Sequence, residues 1–199
     1  MDFHRIKNRV QAQHTLADDQ WEGAVVFLCN ETHVFFIKRS EKMPTHGGQI
    51  AFFGGHKKIL EIDPWMVAQR EFEEETGIVS SALEFQGYLP VVLTARMQPI
   101  VPVICKLLLP TKDFLLEARS NGEWDDCLAY PWSELILEES WEYGWRHGSS
   151  KFPVLFHPMR KGKFIPKTYR NHAHLLWGAT AWMMWDFLRL YYQDKASPY

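Results

Sequence analysis

The chain has few cysteines and no long apolar run, and neither sign of charge dominates. Cys29, Cys105 and Cys127 are widely spaced and odd in number. That excludes a disulfide framework and supplies no zinc-ligand spacing, so buried or incidental thiols in a reducing compartment are expected. No stretch of eighteen apolar residues occurs, and no membrane span is expected. The N-terminal "MDFHRIKNRVQAQH" lacks the apolar core of a secretory signal, and "KASPY" is not a peroxisomal tripeptide, which leaves the cytoplasm as the expected compartment. With 22 Lys and Arg against 24 Asp and Glu, the net charge of −2 gives no electrostatic reason to require DNA or RNA. No internal repeat or low-complexity tract is present. The 199 residues suit one domain over 1–199, with 1–20 as an N-terminal extension and 138–172 as an irregular insertion before a C-terminal helix.

One kind of charge is concentrated at one place. "REFEEETGI", Arg70 to Ile78, carries Glu71, Glu73, Glu74 and Glu75 within five positions. Met66 to Thr76 has no Pro or Gly and is rich in helix formers, and Asp63 and Pro64 stand where an N-cap and first-turn proline belong. At about 100° per residue, Glu71, Glu74 and Glu75 share one face while Glu73 points nearly opposite. Neighbouring carboxylates about 5 Å apart repel by roughly 3 kcal/mol at an effective dielectric of 20. A solvated acidic face is the ordinary outcome of such a run. Against it, the charge crowds the C-terminal end of the helix, where the dipole disfavours it, and Gly77 follows as a C-cap. Within the helix only Arg70 is placed to relieve the repulsion. A hard divalent cation, which takes oxygen ligands, would relieve it better.

Upstream stands "GGQIAFFGGHKKILEIDPWMVAQ". Gly55, followed by a loop with Glu61 and Asp63 and then by Arg70, Glu71, Phe72, Glu74, Glu75, Gly77 and Ile78, resembles the Nudix box. Arg70 stands fifteen positions after Gly55, one more than in the usual box, which resembles the coenzyme A diphosphatase branch. "RSEKMPTHGGQIAFFGG", Arg39 to Gly55, is similar to the stretch that marks that branch, which carries arginine in place of Pro44 and proline in place of Phe53. Later segments, "GYLPVVLTARMQPIVPVI", "EWDDCLAYPWSELI" and "WGATAWMMWDFLRL", resemble successive elements of the same enzymes.

The resemblance implies an α+β fold, a Nudix-type α/β/α sandwich with a mixed β-sheet and a loop-helix-loop motif. It implies Mg²⁺ or Mn²⁺ on Glu71, Glu74 and Glu75, with a backbone carbonyl of the Gly54–Gly55 turn, assigned to Gly55, completing the set. Arg70 is then a member of the catalytic motif, pairing with Glu61 or Asp63 to steady the loop. The implied reaction is hydrolysis of a pyrophosphate in a nucleoside-diphosphate-linked small molecule. CoA or acyl-CoA, cut to 3′,5′-ADP and 4′-phosphopantetheine, comes first; ADP-ribose, NADH or a nucleotide sugar is the alternative, and a non-catalytic ligand-binding protein is a third reading.

Arg39 and Lys38 are candidates for phosphate binding, as against strand-end charges facing water. His46 and Gln49 match the branch stretch, and Glu123 is a candidate to hold or polarise the attacking water. Trp141, Tyr143, Trp145 and Phe152 either stack an adenine or cover a pantetheine arm, or else plug a peripheral groove or an oligomer contact, and "RKGKF" with Lys167 and Arg170 either meets a phosphate or forms a solvated loop. Trp177, Ala181, Met184, Leu188 and Tyr191, at helical spacing, read as core or as the surface of a homodimer. A short helix is expected over 4–13 and strands over 23–29 and 33–39. Another strand is expected over 49–55, with further strands near 84–92, 99–109 and 125–130. Helices are expected over 132–139 and from 174 to 193.

Overall fold

The structure, a computed structural model, describes residues 1–10, 20–136, 141–145, 153–158 and 175–192. Two apolar runs form β1 (Gly23–Cys29) and β2 (His33–Arg39). Asn30 makes the turn between them: its Oδ1 accepts from the backbone N–H groups of Thr32 at 3.0 Å and His33 at 2.8 Å. β1 and β2 are paired where Cys29 faces Val34. The stretch 49–55, expected as one strand, is therefore divided. β3 (Ile50–Ala51) pairs with β2, and β4 (Phe53–His56) crosses over to pair with β1.

The expected strand near 84–92 is also broken. β5 (Leu83–Tyr88) is separated by Pro90 from the two-residue β6 (Val92–Leu93), and both pair with β7 (Pro99–Leu107). β7 runs parallel to β1, and β8 (Trp124–Pro131) pairs antiparallel with β2, so the sheet is mixed.

Alternation along the central strands divides the core between two faces. Ala24, Val26 and Leu28 of β1 and Phe35 and Ile37 of β2 face α2 (Pro64–Thr76) and α3 (Thr111–Glu117). Phe27, Cys29, Val34 and Phe36 face α1 (Phe3–Val10) and α5 (Gly178–Tyr192). The result is the α/β/α sandwich expected. α3 was not anticipated: it buries one large residue, Phe114, which gives its sequence no helical stripe to read. Phe114 stacks on Phe72 at 6.2 Å and meets Phe53 edge-on at 6.4 Å. Phe53, fully buried, thus fills the core beneath α2.

Ala181, Met184 and Leu188 of the α5 stripe are buried in the core. The stretch 138–172, expected as irregular, contains β9 (Glu142–Trp145) and β10 (Pro153–Pro158). With β11 (Leu175–Trp177) they form a three-stranded antiparallel sheet. β11 occupies the residues where the last helix was expected to start, so α5 begins at Gly178. Of the short helix expected at 132–139, α4 (Trp132–Leu135) is described. Phe152, the basic run 160–164, Lys167 and Arg170 lie outside the described residues. Cys29 and Cys105 are buried free thiols, and Cys127 is a half-buried one. Among the described residues no helix is long and apolar enough to cross a membrane.

Candidate active site

The motif helix α2 is fixed at both ends by the residues its sequence supplies. Asp63 Oδ1 accepts from the Trp65 N–H at 2.8 Å, and Pro64 opens the first turn. Gly77, at φ +72°, closes the helix and donates its N–H to the Glu73 carbonyl at 2.9 Å. Glu73 points away from the other acids and accepts from the Ser80 N–H at 2.7 Å, which lowers its pKa.

Arg70 clamps the preceding loop. Its Nε donates to Glu61 Oε1 at 2.6 Å, and its terminal nitrogens reach Glu61 Oε2 at 3.2 Å and the His56 carbonyl at 3.0 Å. They also reach Glu71 Oε1 at 2.6 Å and Glu74 Oε2 at 3.0 Å. Of the two acids the sequence left open as its partner, Glu61 is the one; Asp63 caps α2 and accepts from the Tyr88 hydroxyl. Burial works against the Glu61 charge, but Arg70 and the Lys58 N–H outweigh it and hold the carboxyl below its ordinary range.

The three glutamates of the expected face have separate environments. Glu74 is exposed and takes Lys58 Nζ at 3.0 Å as well as Arg70, so its pKa is lowered. Its repulsion is thus relieved from the loop, a partner the helix sequence could not reveal. Glu75 is 1% exposed, and its Oε2 accepts from the Gly54 N–H at 2.9 Å while Oε1 is buried without a hydrogen-bond partner. Burial pushes its pKa up to about 8, with Glu71 and Glu123 adding to the rise and the Gly54 N–H and Arg39 opposing it. Glu71 is raised too, chiefly by burial, with Arg70 opposing and Glu74 and Glu123 adding.

The glycine turn makes this crowding sterically feasible. A Cβ at Gly55 would lie 2.2 Å from Glu71 Oε1, so the bare backbone leaves room for that carboxylate. Gly54 has φ +148°, and a Cβ there would meet the Ala24 carbonyl oxygen at 2.4 Å.

Among the described residues no group of three or more His, Cys, Asp and Glu side chains is gathered as a metal site. The donor chemistry nevertheless fits a hard cation. A half-buried carboxylate, Glu71, and a buried one with an orphaned oxygen, Glu75, stand beside a turn with no side chains, and both have raised pKa values.

The other side of the same turn opens into a cavity of about 330 Å³. Arg39, His46, Gln49 and Gly55 line it, as do His56, Arg96 and the first turn of α5. His46 Nδ1 and Gln49 Oε1 lie 3.2 Å apart, and Arg39 Nε is buried without a partner. Lys38, one residue along β2, is not on this wall; its ammonium meets Glu41 at 3.3 Å. Glu123 stands on the acidic side, with its carbonyl accepting from the Ser40 N–H at 2.8 Å. Trp177 and Thr180, on the cavity wall, were not anticipated as site residues, because their stretch reads as apolar core. Trp141 Nε1 donates to the Leu135 carbonyl at 2.9 Å, and its ring packs edge-on to Trp185.

The model of the NUDIX domain matches residues 20–145, and the chain belongs to the Nudix hydrolase family. It is similar to "Nudix hydrolase 15, mitochondrial" of Arabidopsis thaliana, 26% identical over 167 residues, covering 79% of this chain and 54% of that protein. It is also similar to "Uncharacterized Nudix hydrolase NudL" of Escherichia coli K12, 35% identical over 71 residues, covering 36% of this chain and 37% of that one. The chain spans about half or less of the length of these curated relatives. Among solved structures, an Ap4A hydrolase of C. elegans aligns at TM-score 0.44 and 16% identity, covering 54% of this chain and 78% of that one.

Proposed function

We propose that the chain is a divalent-cation-dependent pyrophosphohydrolase whose substrate is CoA or an acyl-CoA, cleaved to 3′,5′-ADP and 4′-phosphopantetheine or its acyl form. The observation that carries this is the buried, half-satisfied Glu75 beside Glu71, on one side of a glycine turn whose other side lines a cavity. The narrower assignment to CoA rests on the similarity of Arg39–Gly55 to that branch, and Phe53, one of the two departures, is buried in the core. Pro44, the other departure, keeps the second reading alive, in which the substrate is ADP-ribose, NADH or a nucleotide sugar. The free thiols are in keeping with a reducing compartment such as the cytoplasm.

Glu71 and Glu75 would hold Mg²⁺ or Mn²⁺, with Glu74 and the Gly55 carbonyl as the remaining expected ligands. When bound, the cation screens phosphate oxygens and makes water a better nucleophile. Arg39 draws the diphosphate toward the glycine turn, and Gly54 and Gly55 let it approach the backbone. Glu123, whose charge reaches Glu71 and Glu75, takes the proton of the attacking water. The water oxygen bonds to one phosphorus, the bridging P–O bond breaks, and two phosphomonoesters leave. Arg70 keeps Glu71 and the loop in place throughout.

The test is a hydrolysis screen with Mg²⁺ and with Mn²⁺ over CoA, acetyl-CoA, ADP-ribose, NADH and nucleotide sugars, with products separated and identified. Preference for CoA with 3′,5′-ADP as product supports the proposal. Preference for ADP-ribose or a sugar nucleotide supports the second reading, and no turnover of any of them removes both.

A further inference from the structure

The cavity and the glutamate site carry opposite charge. Two arginines and two histidines line the cavity, and no Asp or Glu among the described residues does. The arginines enter from different elements. Arg39 ends β2, and its charge acts on Glu75, so it belongs to the glutamate side of the cavity. Arg96 lies on the loop between β6 and β7, is exposed, and has no hydrogen bond or ion pair within the described residues.

That loop is held in shape. The Thr94 N–H donates to the Gln98 carbonyl at 3.0 Å, the Met97 N–H to the Thr94 carbonyl at 2.9 Å, and the Gln98 N–H to Thr94 Oγ1 at 3.2 Å. Met97 sits at φ +62°, a conformation rarely adopted by a side-chain-bearing residue. Gln98 Nε2 lies 3.2 Å from His56 Nε2, which ties the loop to the residue following the Gly54–Gly55 turn. Arg96 is therefore an unneutralised cation on a pinned loop, facing a cavity whose other lining groups are Arg39, two histidines and neutral polar and apolar side chains.

We infer that Arg96 is a specificity-determining residue that binds a phosphate monoester of the substrate remote from the diphosphate being cleaved. The inference rests on the proposed hydrolase reading and deepens it. A guanidinium suits a phosphate dianion because its planar N–H groups match the anion's oxygens two at a time. A substrate with a diphosphate alone would engage Arg39 and leave Arg96 unused.

The experiment compares two nucleotides that differ by one phosphate monoester, 3′,5′-ADP and 5′-AMP. Each is titrated by calorimetry into the wild-type chain, R96Q and R96K, with no divalent cation present so that hydrolysis plays no part. Wild type is expected to bind 3′,5′-ADP about tenfold more tightly than 5′-AMP, as one charge-assisted pair at an exposed site provides. R96Q should lose that preference with 5′-AMP affinity unchanged, and R96K should keep part of it. Equal binding of the two nucleotides to wild type, no binding of either, or an unchanged preference in R96Q would overturn the inference. Turnover of CoA by the wild-type protein, measured separately with Mg²⁺, tells failure of Arg96 from failure of the hydrolase reading.

Discussion

A single methyl group on the glycine turn separates the fold from the chemistry. In Gly55→Ala the added Cβ lies 2.2 Å from Glu71 Oε1 and 2.6 Å from its Cδ. Neither atom belongs to the backbone, and the Gly55 φ is not in the left-handed range, so the chain itself can accept alanine. Relief requires the Glu71 carboxylate to retreat by about 1 Å and to leave its 2.6 Å bond to Arg70. An off-rotamer glutamate and a weakened ion pair cost about 1 kcal/mol, or roughly 2–4 °C in Tm for a chain of this size. Displacing a reacting group by about 1 Å lowers turnover by on the order of 100-fold. Gly54→Ala is the contrast. Its Cβ meets the Ala24 carbonyl oxygen at 2.4 Å and Val25 Cα at 2.6 Å, both backbone, at φ +148°, and the expected loss is about 4 kcal/mol or more. Thermal melts and CoA hydrolysis with Mg²⁺, measured on both variants, decide the matter. A Gly55→Ala protein with near-wild-type turnover, or one as unstable as Gly54→Ala, would refute the reasoning.

Three further outcomes are expected. Glu75→Gln keeps an acceptor for the Gly54 N–H and removes a buried ionisable carboxyl, so it should fold at least as stably as wild type in chelator while losing at least about 100-fold in turnover. In metal-free protein the stability should fall as pH rises from about 4.5 to about 8, since the folded state holds the Glu75 proton that the unfolded chain releases. Denaturant melts across that range check the sign, and Glu75→Gln should flatten the slope. Arg70→Ala strands Glu61 in its buried position and should cost about 2 kcal/mol, less than for a fully enclosed pair because Arg70 keeps some solvent contact. A denaturation midpoint within experimental error of wild type would show that the clamp does not hold the loop.

Local chemistry is what a sequence displays best. Asp63, Pro64 and Gly77 mark the ends of α2 to the residue, and the apolar runs of β1 and β2 with Asn30 between them mark the hairpin. Arg70 was legible as a clamp, but its partner was not, because Glu61 and Asp63 are both within reach of a loop of unknown path. Glu74 looked like one of three equal acids until Lys58 folded back onto it from sixteen residues upstream. Long-range features left no local trace. Phe52 and Phe53 read as one strand with alternating faces, but the residues on either side pair with different strands, β3 with β2 and β4 with β1. The cavity wall at Trp177 and Thr180 was hidden because the start of α5 has the composition of core. The charge separation across the Gly54–Gly55 turn brings together residues far apart in sequence, Arg39, Glu71, Glu75 and Arg96.

The most direct test of the central claim is the Mg²⁺ dependence of CoA hydrolysis, measured on wild type and Glu75→Gln from parallel preparations with matched melting curves. The account predicts turnover that rises with Mg²⁺ and vanishes in chelator for wild type, and none above background for Glu75→Gln at any Mg²⁺ concentration. Hydrolysis by the wild-type chain that persists in chelator, or a folded Glu75→Gln that keeps wild-type turnover, would contradict it.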